Sequence, residues 1–309
     1  MGQGRESHLS MRRLFVAIIL LPLLGAGCTD SLPFLGGSKA PEFPAEEINL
    51  ANGWTLTIDQ TWLGVNVPKK DDYGKKVVTI DDWKTSDSAK LSWSMRDYRE
   101  TANSKIAREN AMKNVGVGEK ADVPEPVYED VTLQGKLSTD ALDNAERILL
   151  PSYWPEKDYD VRGQEDSLIW LSKAQYDELA STRKSHIQLG LFDSTLQGIL
   201  DFTDTTKAIL GKLQGKIADD TTKKDFTELN ANGDWGTYIM NVNGVESKVK
   251  TIEASNAFAH YTILANPDNP LILAVSLRPW ALGPSMFLSF GELKALVGYK
   301  IESINVAGD

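Results

Sequence analysis

Past residue 27 the chain has two histidines, His186 and His260, and one cysteine, Cys28. A hydroxyl nucleophile needs a base beside it, and those two histidines are the natural candidates. His186 stands between Ser185 and Ile187, and His260 precedes Tyr261. Both patterns read as ordinary strand residues. There is no Gly-x-Ser-x-Gly elbow. Two histidines and one cysteine are also too few for a zinc site closed by four such ligands. Gly211-Lys-Leu-Gln-Gly215-Lys216 imitates a phosphate loop. It is one residue short, and Ile217 stands where a hydroxyl would hold magnesium.

Asp193-Ser194-Thr195 follows an apolar run, as a catalytic aspartate can. Thr195 occupies the place where such a turn needs glycine, so Asp193 or Ser194 reads as a helix N-cap. Asn230, Asn232 and Asp234 alternate around Gly233 and offer oxygens suited to calcium. No glutamate follows at the distance a calcium loop requires, and the stretch reads as a loop. The pairs Asp71-Asp72, Asp81-Asp82 and Asp219-Asp220 lie in polar surroundings and read as solvated turns. The residues thus assign no catalytic group, no metal ligand and no cofactor.

Cys28 is different, because of what precedes it. Arg12 and Arg13 are followed by an apolar run from Leu14 to Leu24, then by Gly25, Ala26 and Gly27. That is the order of an export signal: positive charge, apolar stretch, small residues. The run is shorter than the roughly 20 residues needed to span a bilayer. Met11, directly before the arginines, is an alternative start to Met1. Leu24-Gly-Ala-Gly-Cys28 resembles the lipobox of bacterial lipoproteins, with Gly25 where the pattern carries an aliphatic residue. The resemblance implies cleavage before Cys28, a diacylglyceryl group on its thiol and a further acyl chain on its amino group. Thr29, not aspartate, follows the cysteine, which implies the outer membrane in a diderm host. A lone cysteine in an exported chain has no disulfide partner, in keeping with a lipidated one.

Charge narrows the partners. The chain carries −10, and losing Arg5, Arg12, Arg13 and Glu6 with the leader takes it to −12. That surface disfavours nucleic acid and anionic headgroups. The expected partners are the membrane, through the anchor, and an envelope protein or glycan.

The elements that must carry any binding surface follow from periodicity. Residues 1–27 read as signal and 28–44, with Pro33, Pro41 and Pro44, as a tether. Residues 45–150 read as a β-rich N-terminal part. Strands are expected at 53–59, 62–67, 76–80, around Leu91-Trp93-Met95, and at 127–137. A helix is expected over 101–114 and a short one over 140–149. Residues 151–166 read as a loop or boundary, and 167–309 as an α+β C-terminal part. There, strands are expected at 168–171, 187–191, 258–264, 271–277 and 299–306. Ser172-Lys-Ala-Gln175 has capping-box spacing before a helix to about Thr182. Further helices are expected at 204–214 and 292–297. Asn243-Gly244 predicts a type I′ turn within a hairpin spanning 238–254.

The fold class expected is α+β, a mainly antiparallel sheet with several short helices. The function expected is a membrane-anchored, non-enzymatic binding module of the envelope. A lipid-anchored hydrolase or a structural subunit of an envelope complex are the alternatives.

Overall fold

The computed structural model describes residues 40–62, 65–66, 72–113, 122–161, 166–189, 227–233, 235–257, 259–278 and 298–306. All of them lie in one unit, Ala40–Asp309. Its elements in chain order begin with β1 (Glu42–Phe43), a 3-10 turn (Ala45–Glu47), β2 (Thr55–Trp62) and β3 (Val65–Asn66). Then come β4 (Lys76–Lys84), β5 (Ser88–Glu100), α1 (Ala102–Lys113), β6 (Tyr128–Thr139) and β7 (Arg147–Ile148). A second 3-10 turn (Pro151–Tyr153) precedes β8 (Tyr159–Asp160), β9 (Asp166–Ser167) and α2 (Lys173–Thr182). β10 (Lys184–His186), β11 (Gln188–Leu189), β12 (Glu228–Ala231), β13 (Gly236–Val242) and β14 (Val245–Ser255) follow. β15 (Ala259–Leu264), β16 (Ile272–Leu277) and β17 (Gly298–Asn305) end the series.

The hairpin at Asn243-Gly244 shows how local chemistry starts the sheet. Asn243 and Gly244 have φ of 53° and 79°, the pair of positive angles a type I′ turn needs. That sets Val242 opposite Val245 and pairs β13 with β14 as far as Gly236 and Thr251. β14, β15, β16 and β17 then pair antiparallel in succession. β17 returns to lie parallel to the end of β13, closing a ring of five strands. Closure removes two edges and turns one set of alternating side chains inward.

Tyr261, Tyr299, Val275, Ile301 and Ile304 are all fully buried on this ring. The buried phenols are accommodated by hydrogen bonds: Tyr299 Oη donates to Ile272 O (2.9 Å) and Tyr238 Oη to Ile301 O (2.8 Å). Burial pushes the phenols of Tyr238, Tyr261 and Tyr299 well above their ordinary ionisation range. Gly298 permits the close approach of β17 to β16. A Cβ there would lie 1.9 Å from Val275 O, a distance no side chain tolerates.

From β17 the sheet continues outward through β2, β4, β5 and β6 to the short β8. One face of this extension is apolar, carrying Leu56, Ile58, Val78, Ile80, Leu91, Leu133 and Leu137. The other face is open. β7, β9 and β11 form a separate three-stranded sheet.

The fold is therefore β-rich and mainly antiparallel, as expected, with fewer helices than the sequence suggested. Among the described residues there are two α-helices and two 3-10 turns. The helices expected at 204–214 and 292–297 lie outside the described residues. The helix expected over 140–149 is instead a turn at 142–144 followed by β7. Its backbone is claimed by neighbours: Leu142 O accepts from Lys173 N (2.8 Å), and Arg147 pairs with Asp166 (2.7 Å). Nor do residues 168–171 form a strand, apart from one bridge between Trp170 and Leu271. Ile169 O accepts from Ile272 N and Leu171 N donates to Pro270 O, so the segment is tied to the start of β16 without a continuous ladder. The capping box forms as expected, with Ser172 Oγ accepting from Gln175 N and Gln175 Oε1 from Ser172 N.

Candidate binding face

β5 alternates Leu91, Trp93 and Met95 toward the core with Ser92, Ser94, Arg96 and Tyr98 on the opposite face. The β4 and β6 registers place Val77 and Gln134 beside Ser94, and Thr79 and Lys136 beside Ser92. These side chains, with Glu156, Lys157 and Asp158 along the rim, line a trough of 380 Å³. Hydroxyls and an amide form its floor, and charges of both signs lie at its margin. Gly135, inside β6, lets the rim close. A Cβ there would lie 2.7 Å from Pro155 O and 2.9 Å from Trp93 Nε1.

Further along the same face the floor becomes aromatic. β4 pairs with β5 only as far as Met95, so Arg96–Glu100 and Tyr128–Thr132 project as a two-stranded arm. Tyr98 lies opposite Asp130 and diagonal to Tyr128, and the two rings stack at 5.2 Å with planes 17° apart. Tyr73, from the turn before β4, meets Tyr98 edge-on at 6.1 Å. Arg96 lies 4.8 Å over the Tyr73 ring and donates to its hydroxyl (3.1 Å). Tyr73 Oη in turn donates to Asp130, and this bond is the main reason its ionisation is shifted upward. The cluster is thus tied together by ring contacts and hydrogen bonds while Tyr98 remains 58 % exposed.

At the tip of the arm, α1 is turned the wrong way for an ordinary surface helix. Its one buried residue is Ser104. Thr101 Oγ1 caps the helix by accepting from Ser104 N, and Ser104 Oγ donates to Glu100 (2.7 Å). Arg108 also donates to Glu100 (3.0 Å), and these bonds hold the Glu100 carboxyl below its ordinary range. Ile106 and Met112 face solvent instead of the core. Nearby Val127 is 60 % exposed.

The residues weighed for catalysis are not brought together. His186 lies on β10 and lines a second cavity of 520 Å³ with Glu146, Glu178, Ser185 and Gln175. Ser185 Oγ donates to Glu178 (2.9 Å), which ties that hydroxyl to a carboxylate. His260 lies on β15, where its Nε2 accepts from Arg278 Nε (3.2 Å). Asn230 and Asn232 stand on and after β12; Asn230 Nδ2 donates toward Glu228 O and Asn232 Oδ1 accepts from Ser255. Asp81 and Asp82 serve the sheet surface through Ser92 and Lys90. Asp72 is beside Lys75. Cys28, Asp71, Asp193, Ser194, Thr195, residues 211–217, Asp219, Asp220 and Asp234 lie outside the described residues. The tyrosine cluster went unread in the sequence. The alternation Ser92-Ser94-Arg96-Tyr98 marks an outward face, but Tyr73 and Tyr128 join it only through strand pairing. No family model, no curated protein and no solved structure matches this chain.

Proposed function

We propose that this protein is a lipid-anchored, non-enzymatic module of the bacterial envelope that binds a glycan along the outer face of β4, β5 and β6. The supporting observation is the continuity of that face. A trough floored by Thr79, Ser92, Ser94 and Gln134 runs into the exposed rings of Tyr98 and Tyr128. Hydroxyl and amide groups exchange hydrogen bonds with sugar hydroxyls, and aromatic faces cover the apolar faces of sugar rings. Anchoring through Cys28, implied by its lipobox-like setting, would keep the module at a membrane surface, the outer membrane in a diderm host. Two or three acyl chains hold a protein there where one barely does.

The test uses the purified protein and defined linear oligosaccharides, neutral hexose and N-acetylhexosamine hexamers, in titration calorimetry. One class is expected to bind, and Tyr98→Ala or Tyr128→Ala to weaken it at least about tenfold, equivalent to about 1.4 kcal/mol, with the unfolding midpoint unchanged. Absence of binding to either class, or binding indifferent to both substitutions, refutes the glycan reading. The anchor is tested separately. Cys28→Ala should yield an exported protein that leaves the membrane fraction, and an intact mass without acyl groups on the wild type refutes lipidation. A protein partner is the second reading, favoured by the exposure of the apolar side chains Ile106, Met112 and Val127 on and beside α1.

A further inference from the structure

The hairpin of β13 and β14 presents an outer face that is apolar and cationic at once. Strand alternation turns Tyr238, Met240 and Val242 inward and leaves Trp235, Thr237, Ile239 and Asn241 outside. The register sets Lys250, Lys248 and Glu246 of β14 beside Thr237, Ile239 and Asn241. Trp235 is 47 % exposed and Ile239 46 %. Lys250 Nζ lies 4.2 Å over the Trp235 ring. Neither Lys248 nor Lys250 has an ion-pair partner among the described residues.

The chain enters the sheet directly against this hairpin. β1 pairs parallel with β14, setting Glu42 beside Lys248, and Lys248 N donates to Pro41 O (2.8 Å). Cys28 precedes Ala40, the first described residue, by twelve positions. A fully extended chain of that length spans at most roughly 40 Å. An acyl group on Cys28 therefore keeps β1 within that distance of the bilayer, and the hairpin beside it at a high effective concentration. The charge of the face is also unlike that of the rest. The chain carries −12 without its leader, yet Glu42 and Glu246 are balanced here by Lys248 and Lys250.

We infer that the outer face of the β13–β14 hairpin docks on the phospholipid surface to which the chain is anchored, as a second attachment beside the acyl groups. Trp235 has the amphipathic ring that settles at headgroup level, and Ile239 adds an apolar side chain on the same side of β13. Lys248 and Lys250 carry their ammonium groups to headgroup phosphates while their methylene stems lie along the apolar pair. Trp235 and Ile239 bury too little to capture a free chain, but a tethered chain is already at the surface and needs only to be oriented there. The inference rests on the anchoring at Cys28 proposed above and is independent of the glycan reading.

The test uses the chain from Cys28 to Asp309, which holds every described residue and whose only cysteine is Cys28. That thiol is coupled to maleimide-headed lipid in phosphatidylcholine vesicles with either ordinary or brominated acyl chains. Bromine quenches the tryptophans that meet the bilayer. Emission should fall in the brominated vesicles, and Trp235→Phe should remove at least about half of that fall. Ile239→Asp keeps the reporter and should weaken the quenching at least about twofold with an unchanged unfolding midpoint. Lack of quenching overturns the inference. So does quenching that persists in Trp235→Phe, since another face then meets the lipid, or an Ile239→Asp variant quenched like its parent. A blue shift that grows with protein density and is not quenched by bromine means that a second copy covers the face, which overturns it too. The coupling supplies the anchor chemically, so these failures count against the docking face, whereas a wild type without acyl mass counts against the anchor alone.

Discussion

Replacing Asn269 with alanine tests what holds the N-terminal segment and Trp170 to the sheet. Asn269 is 1 % exposed, in the loop between β15 and β16. Its Oδ1 accepts from Trp170 Nε1 (2.9 Å) and its Nδ2 donates to Ile48 O (2.8 Å). Ile48 O also accepts from Asn266 Nδ2 (3.1 Å), so it keeps one bond after the substitution. Trp170 is fully buried, and its indole N–H keeps none. A buried donor left unsatisfied costs about 1–3 kcal/mol, and the void of the lost amide adds about 1 kcal/mol. The expected loss is about 2–4 kcal/mol, a large part of the roughly 5–15 kcal/mol of a typical domain. Urea unfolding followed by tryptophan fluorescence reads it directly, as a midpoint lowered by about 1 M or more. Asn269→Asp separates the two bonds. The carboxylate still accepts from Trp170 but faces the Ile48 carbonyl with negative charge. Its deficit should shrink at acidic pH, where a protonated carboxyl can donate again. A loss below about 1 kcal/mol for the alanine variant would mean that the Trp170 donor finds another acceptor, and the clasp argument would fall.

Two further perturbations read local features. Gly244→Ala meets no atom within 4 Å, so its cost is only that of φ at +79°, about 1 kcal/mol in chemical denaturation; an unchanged midpoint would show that the turn is not type I′. His260 is held below its ordinary range by burial and then by the charge of Arg278. The unfolded chain takes up that proton first, so the stability due to the neutral ring is complete above about pH 6.5 and is lost as pH falls below it. His260→Gln should therefore narrow the gap between unfolding midpoints at pH 8 and pH 5.5, and an unchanged gap would refute the assignment.

Sequence alone determined the features whose physics is local. Asn243-Gly244 specifies its turn because few residue pairs tolerate two positive φ angles. Ser172 and Gln175 specify a helix start because their side chains reach the backbone of the same turn. Alternation placed the strands around Trp93, Ile263 and Val275, since a half-buried strand repeats every two residues.

Tertiary structure decided everything that depends on which strand lies beside which. Residues 140–149 carry helical composition, but Lys173 and Asp166 recruit their backbone and side chains elsewhere. The helix expected over 101–114 forms, but Ser104 and Arg108 hold it to Glu100, and Ile106 and Met112 are left exposed. Closure of β17 onto β13, and the gathering of Tyr73, Tyr98 and Tyr128 on one face, join residues far apart in the chain. Periodicity reports which way a side chain points from its own strand. Pairing energy summed over the whole sheet chooses its neighbours, and no local pattern encodes that choice.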